Sequence, residues 1–176
     1  MSEFSGHVFI GVSVDGFIAR SDGDLKWLTE RDLPVEESGY NEFMDGVDVV
    51  IMGRTTYETV VAMDEWPYTI PVFVLSSTLD PGSIQRDDVS VHRSIDAVLV
   101  AFASAGFANA CVDGGATIRS FLRLGLIDSM TLSIAPVLIG SGAPLFGDLV
   151  TDVDLELEST KALPAGFVQT RYHVAR

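Results

Sequence analysis

Residues 112–147 read VDGGATIRSFLRLGLIDSMTLSIAPVLIGSGAPLFG. The apolar run Ala110–Val112 predicts a short strand, Gly114-Gly115 follows it, and residues 116–124 have the pattern of a helix. Glycine has no Cβ, so a phosphate can approach the backbone closely at this pair. The first turn of a helix adds unpaired N–H groups and the positive end of the helix dipole. The stretch therefore predicts a site for a phosphorylated ligand, most simply a dinucleotide.

The length and the charge of the chain restrict its class. The 176 residues are enough for one domain over residues 1–176, with a sizeable core. Twenty-five acidic and eleven basic residues leave a net charge of −14, which repels nucleic acid and anionic membranes, so we expect neither as a partner. Cys111 is the single cysteine, no long apolar run is present, and the first residues do not resemble a secretory signal. These features favour the cytoplasm, and we expect Cys111 in the core.

The order of the predicted elements indicates an α/β fold. Strands and helices alternate up to about residue 124, and consecutive strands follow Asp128. This order predicts a mostly parallel sheet with an antiparallel edge hairpin at the C-terminal end. The predicted strands are His7–Val14, Val47–Met52, Pro71–Leu75, Val89–His92, Asn109–Val112, Ser129–Ile139, Val153–Thr160 and Phe167–Ala175. The predicted helices are Val35–Asp45, Tyr57–Met63, Ile95–Ala105 and residues 116–124, and residues 20–34 are predicted as a loop.

Three predicted strands end in turns rich in glycine and hydroxyl groups. These turns are Gly53-Arg54-Thr55-Thr56, Ser76-Ser77-Thr78 and Gly114-Gly115-Ala116-Thr117. The carboxyl ends of parallel strands share one edge of an open sheet, and ligands bind there, so we expect the three turns to form one site. The G-x-G-x-x-G fingerprint is absent, which disfavours an ordinary Rossmann domain.

Several motifs together resemble those of the dihydrofolate reductase-like superfamily. The similarity is greatest to the reductase domain of bifunctional riboflavin-biosynthesis proteins and to its stand-alone relatives, and it covers nearly the whole chain. The matching pieces are Ser13-Val14-Asp15-Gly16-Phe17-Ile18-Ala19, Met52-Gly53-Arg54-Thr55-Thr56-Tyr57-Glu58, Val74-Leu75-Ser76-Ser77, Asp113-Gly114-Gly115-Ala116, Leu126-Ile127-Asp128, residues 135–142 and Leu145-Phe146.

The resemblance implies a three-layer α/β fold, with helices on both faces of the sheet, and an NADPH-dependent reductase. By motif match, Gly53, Arg54, Thr55 and Thr56 would hold the adenosine-side phosphates, with Arg54 on the 2′-phosphate. The other cofactor-binding residues carried over are Ser76 and Ser77 at the same end, Gly114, Gly115, Ala116 and Thr117 at the pyrophosphate, and Val12, Ser13 and Ile18 beside the nicotinamide. Relatives often carry an arginine just after this serine, where Ser77 and Thr78 stand here.

Three acidic residues are candidates for the proton donor in hydride transfer. Dihydrofolate reductases carry one acid on their first helix. Counting from the Gly53 turn places Glu37 at that position, whereas counting from Pro34 places Glu36 there. Asp15, at the mouth of the first strand, is the third candidate. Acids also favour helix starts because of the dipole alone, so the choice stays open.

We expect a reductase of the 5-amino-6-(5-phosphoribosylamino)uracil reductase type, acting on a pyrimidine- or pterin-type small molecule. The alternatives are a dihydrofolate reductase and, in another class, a nucleotide-binding protein without catalysis. The three histidines have no metal-ligand spacing, so no metal is expected. The resemblance also implies a homodimer that packs through strands near the C-terminus.

Overall fold

The computed structural model describes residues 4–147 and 149–175 and contains an eight-stranded sheet. The strands are β1 (Ser5–Ser13), β2 (Phe17–Ala19), β3 (Val49–Gly53), β4 (Val72–Leu75), β5 (Val89–His92), β6 (Asn109–Asp113), β7 (Ser129–Ala135), β8 (Ala143–Pro144), β9 (Leu155–Ala162) and β10 (Val168–Val174). The order across the large sheet is β5-β4-β3-β6-β1-β7-β10-β9. In this large sheet β10 runs antiparallel to β7 and β9, and the other pairs are parallel. The two remaining strands, β2 and β8, form a separate antiparallel pair.

Helices cover both faces of this sheet. They are α1 (Lys26–Thr29), α2 (Val35–Ser38), α3 (Tyr40–Asp45), α4 (Arg54–Val61), α5 (Ile95–Ala105) and α6 (Gly115–Arg123). α5 and α6 bury Phe102 and Phe121 in one apolar core, and α4 buries Tyr57 in a second core on the opposite face. The central strand β3 is buried from both sides, as continuous apolar runs in parallel sheets usually are. The predicted mostly parallel α/β fold is confirmed.

Four local predictions were wrong. The single helix predicted over Val35–Asp45 is two short helices, because Gly39 between them has a φ of 77°. The predicted loop 20–34 contains α1, whose Trp27 is buried. β7 ends at Ala135 rather than Ile139, since Pro136 has no N–H to donate to the ladder. The alternation of apolar and acidic residues over Val153–Thr160 predicts a half-exposed strand, whereas all residues of β9 are exposed.

Candidate active site

A cleft of about 650 Å³ opens where β3 and β6 end, at the carboxyl edge of the parallel strands. One wall is the turn between β3 and α4, and the other is the turn between β6 and α6. Nine of the predicted cofactor residues line the cleft together. One is Ile18, and the other eight are the members of the two turns: Gly53, Arg54, Thr55, Thr56, Gly114, Gly115, Ala116 and Thr117. The starts of the two turns, Gly53 and Gly114, are 61 residues apart in sequence, so the sheet brings them to one place.

The two turns are packed against each other through their glycines and threonines. A Cβ added to Gly53 would lie 2.9 Å from the Thr117 hydroxyl. A Cβ added to Gly114 would overlap the Thr56 hydroxyl, and Gly114 has a φ of 86°. Each glycine therefore admits the threonine of the opposite turn. The absence of side chains here is what allows the two helix starts to come so close together.

Both helices begin at the cleft without a side-chain cap among the described residues. Gly53 precedes α4 and Gly114 precedes α6, and neither contributes a capping hydrogen bond. The first intrahelical bond of α6 is donated by the N–H of Ile118 to the carbonyl of Gly114, which leaves the earlier N–H groups free of an intrahelical acceptor. Two such helix starts suit the phosphates of a dinucleotide, so the predicted cofactor fits the residues present.

The Arg54 side chain makes two hydrogen bonds within the chain. Its Nε donates to Glu58 Oε1 at 2.6 Å, and its Nη1 donates to Thr78 Oγ1 at 3.1 Å. Both side chains of the ion pair are about half exposed. An exposed ion pair of this kind contributes little to the free energy of folding.

Ser76 and Ser77 lie outside the lining of the cleft. Ser76 is buried, and its hydroxyl accepts hydrogen bonds from the N–H groups of Thr78 (3.2 Å) and Leu79 (3.0 Å). Ser77 is exposed. Ser76 thus shapes the turn that presents Thr78 to Arg54, while the predicted contact of both serines with the cofactor stays a prediction.

Asp15 joins the turn after β1 to a distant loop. Its carboxylate accepts from the Ser13 hydroxyl at 2.6 Å, from the N–H of Gly140 at 2.7 Å and from the N–H of Ile139 at 3.2 Å. The Ser13 hydroxyl is the main cause that lowers the pKa of Asp15, with the two N–H groups acting in the same direction and desolvation opposing them. Asp15, Ser13 and Val12 lie outside the lining of the cleft. The position of Asp15 suits a loop anchor better than a proton donor.

Glu36 and Glu37 also lie outside the lining of the cleft. Both are in the first turn of α2, and both are exposed to solvent. Acids at this position interact favourably with the helix dipole, which accounts for them without a catalytic role. Their predicted role stays a prediction, and the structure provides no contact that distinguishes one from the other.

Asp113 is the acid that the structure places in the cleft, and the sequence reasoning missed it. It ends β6, its side chain is half-buried, and it accepts a hydrogen bond from the N–H of Gly114 at 2.7 Å. Burial raises the pKa of Asp113, and the Gly114 bond opposes this only in part. A carboxyl with a raised pKa in a cleft is a functional-site candidate. The sequence feature that could have identified Asp113 is its position at the end of a predicted strand, directly before the glycine pair.

Tyr68 and Arg119 are two further residues of the cleft lining. Burial followed by the charge of Asp113 raises the pKa of the Tyr68 phenol, which therefore keeps its proton. Arg119 in α6 donates from Nη1 to the carbonyl of Pro144 at 2.7 Å. A Cβ on Gly115 would lie 2.6 Å from that same carbonyl. Arg119 therefore holds the β8 segment over the start of α6.

A second cavity of about 400 Å³ lies on the sheet face formed by β1, β7, β10 and β9. Its lining includes Lys161, Arg171 and Glu42 but none of the predicted site residues.

Among residues 4–147 and 149–175, no group of three or more His, Cys, Asp or Glu side chains could hold a metal. No helix in that part of the chain is long and apolar enough to span a membrane.

Comparison with known proteins identifies the family of this chain. The sequence model of the RibD C-terminal domain matches residues 6–169, which is nearly the whole chain. The chain belongs to the RibD C-terminal domain family. The uncharacterized protein YwjB of Bacillus subtilis (strain 168) is 36% identical over 160 residues, which cover 88% of this chain and 89% of YwjB.

Solved structures of similar fold include a protein of related sequence. A putative riboflavin biosynthesis protein from Shewanella sp. PV-4 has a TM-score of 0.88 and 35% identity, over 97% of this chain and 99% of that one. A dihydrofolate reductase from Enterococcus faecalis, complexed with NADP(H), has a TM-score of 0.71 and 17% identity, over 98% of this chain and 97% of that one. The second likeness shows the fold alone. The predicted dihydrofolate reductase-like fold and the predicted RibD-type relatives are thereby confirmed.

Proposed function

We propose that this chain is an NADPH-dependent reductase of the 5-amino-6-(5-phosphoribosylamino)uracil reductase type, acting on a pyrimidine- or pterin-type small molecule. The observation that carries the proposal is the cleft itself. Two uncapped helix starts, at Gly53 and Gly114, meet there beside the half-buried carboxyl of Asp113. Membership of the RibD C-terminal domain family supports a reductase, and the fold is shared with an enzyme complexed with NADP(H).

Different residues of the cleft would bind different parts of the cofactor and the substrate. We assign the adenosine-side phosphates to the start of α4, where Arg54 and Thr55 lie, and the pyrophosphate to the start of α6. Ile18 and Asp113 line the same cleft, and we assign the place where the nicotinamide and the substrate meet to these two residues. The apolar side chains of Leu25 and Leu28 line it as well and suit the flat face of a heterocycle.

The reaction needs a hydride at carbon and a proton at the neighbouring nitrogen or oxygen. NADPH supplies the hydride when it is bound. The chain must supply the proton, and Asp113 is the group placed to hold one on its carboxyl oxygen, because its pKa is raised. Tyr68 stays protonated beside it and can donate a hydrogen bond to the substrate.

Binding of the cofactor is tested directly by thermal unfolding. NADPH at 100 times its Kd should stabilise the folded chain by about 2.7 kcal/mol. For a chain of this size that corresponds to a rise in Tm of roughly 5–10 °C. AMP at the same concentration is the control, and it should give a smaller rise because it lacks the pyrophosphate and the nicotinamide half. An unchanged Tm at millimolar NADPH contradicts the proposal.

No observation specifically favours the two alternatives. The sequence feature that points to a dihydrofolate reductase is the acid at position 36 or 37, and Glu36 and Glu37 both lie outside the lining of the cleft. Oxidation of NADPH by pyrimidine and pterin substrates separates a reductase from a nucleotide-binding protein without catalysis. Inhibition by methotrexate would separate a dihydrofolate reductase from the proposed enzyme.

We further propose that the chain forms a homodimer through its C-terminal hairpin. β9 is the edge of the large sheet, and every one of its residues is exposed, Leu157 by 60%. An exposed edge strand of eight residues is a ready template for pairing with another chain. Light scattering should give the mass of two chains, and Leu157→Lys should shift it towards that of one. A wild-type mass of one chain would contradict this.

A further inference from the structure

We propose that the second cavity binds a small aromatic monocarboxylate, held by Lys161 and Arg171 at a site separate from the cofactor cleft. The cavity has a volume of about 400 Å³, which is within the range of small-molecule sites. Its lining shares no residue with the lining of the cleft, so this site is independent of the proposed reductase. It lies on a face of the sheet, whereas pairing with a second chain along β9 uses the backbone edge.

The floor of the cavity is a polar area of the sheet. Ser129 and Thr131 on β7 and Gln169 on β10 line it, and these three side chains are only 6–8% exposed. The Gln169 amide donates to the Ser38 carbonyl and to the Ser133 hydroxyl, both at 2.9 Å, which fixes the floor against α2. Hydroxyl and amide groups are costly to cover with an apolar partner. The floor therefore suits a ligand that brings polar atoms of its own.

Two cations stand over this floor. Lys161 on β9 is paired with Gln169, and Arg171 is two residues further along β10, so the two cations are diagonal neighbours on one face of the sheet. A Cβ added to Gly39 would lie 3.8 Å from Lys161 Nζ, so the ammonium group reaches the corner between α2 and α3. Within the described part of the chain, no carboxylate lies within 4.0 Å of this ammonium.

The charges around the cavity favour a ligand with one negative charge. Arg171 Nε lies 2.9 Å from Glu158 Oε2, which leaves the Nη1–Nη2 edge of the guanidinium available to a carboxylate. Glu42 on α3 also lines the cavity. The two cations are thus balanced by two acids, and repulsion from those acids grows with the charge of the ligand. A monocarboxylate therefore fits better than a phosphate of charge near −2.

An aromatic part of the lining selects the body of the ligand. Phe9 and Phe43 line the cavity, and their ring centroids are 5.1 Å apart. Both side chains are only partly buried, so a ligand ring can pack against them. A molecule of the size of benzoate can place its ring there and accept hydrogen bonds at its carboxylate from Lys161 and Arg171.

The test is titration calorimetry of the full chain with benzoate at low ionic strength. The wild type should bind benzoate with a Kd of about 1 mM or lower. Benzamide has nearly the same shape without the charge and should bind about tenfold more weakly, and inorganic phosphate should also bind more weakly than benzoate. Lys161→Met should weaken benzoate about tenfold, whereas Glu42→Gln should tighten it about twofold to threefold.

Lys26→Met is the matched control. Lys26 is the other lysine of the chain, and it lies in α1, outside the lining of both cavities. The substitution removes the same charge, so the Kd for benzoate should stay within about twofold. Saturating NADPH should also leave this Kd unchanged, because the two linings share no residue. Circular dichroism before each titration confirms that every variant is folded.

Several outcomes would overturn this site and leave the proposed reductase standing. One is a wild-type Kd for benzoate above about 10 mM. Equal weakening by Lys161→Met and Lys26→Met would show that only the overall charge of the chain matters. Equal affinity for benzamide and benzoate would show that the cations hold nothing, and tighter binding of phosphate would exclude the monocarboxylate class. Displacement of benzoate by NADPH would place the benzoate in the cofactor cleft instead.

Discussion

Asp113→Asn should lower kcat for hydride transfer by about 100-fold or more, while the Kd for NADPH changes by less than about threefold. The substitution keeps the size and shape of the side chain and still allows the Gly114 N–H to donate to an oxygen. What it removes is the acidic proton. Because the assigned role of Asp113 is to donate this proton in the transition state, the loss belongs to kcat and not to cofactor binding.

The raised pKa of Asp113 also predicts the direction in which activity changes with pH. Burial raises the pKa of Asp113 above its ordinary value of about 3.9, so the protonated form persists to higher pH. Activity should therefore be greatest below this raised pKa and should fall as the pH rises through it. Stopped-flow traces of NADPH oxidation across the pH range measure this fall, and the Asn variant should lack it.

A matched control is Asp152→Asn, an exposed acid in the loop before β9. It removes one carboxylate from the same chain, at a residue outside the lining of the cleft, and kcat should stay within about twofold of the wild type, as for most surface changes. If Asp113→Asn retains a third or more of the wild-type kcat, Asp113 is not the proton donor, and Asp15, Glu36 and Glu37 become the candidates again.

Gly114→Ala should destabilise the fold by roughly 3 kcal/mol and should abolish cofactor binding at micromolar concentration. Gly114 has a φ of 86° and a ψ of 131°, a combination that is nearly restricted to glycine. The added Cβ would also overlap the Thr56 hydroxyl on the opposite wall of the cleft. The two turns must then move apart, and the helix starts would no longer face the phosphates together.

Gly125→Ala is the control for this prediction. Gly125 also has a positive φ, 65°, but a Cβ there would meet nothing within 4 Å. Its cost should be about 1 kcal/mol, from backbone conformation alone, and cofactor binding should be unaffected. Urea unfolding measures both costs. Equal losses of stability in the two variants would show that the contact between the turns of the cleft has no energetic role.

The sequence predicted most of the fold because its signals are local. Continuous apolar runs marked β3, β4 and β6, and the helix predicted over Ile95–Ala105 has the observed bounds of α5. The errors lie where one residue outweighs a longer pattern. Gly39 divides the predicted helix Val35–Asp45, and Pro136 ends β7 early. Both effects depend on a single backbone conformation or a missing donor, which an amphipathic pattern does not reveal.

Some parts of the site could be predicted from the sequence and others could not, again because only local signals can be read along the chain. The glycine and threonine turns at Gly53 and Gly114 could be read from the chain, because a strand, a glycine and a helix start form a local motif. Their contact with each other depends on β3 and β6 lying side by side. Likewise, an acid at a helix start and an acid at a strand end look equally suitable in a sequence. Only their positions show that Asp113 lines the cleft and that Glu36 and Glu37 do not.

The amino-acid sequence was sufficient for the class of fold, for the two phosphate-type turns and for the family, since each depends on residues that are neighbours along the chain. Tertiary structure alone decided which residues act on one another. It paired Arg54 with Glu58 and Thr78, drew Asp15 to the loop at Gly140, and placed Asp113 in the cleft. The physical reason is that charge, desolvation and steric contact depend on distances in space, which the folded sheet sets between segments far apart in the chain.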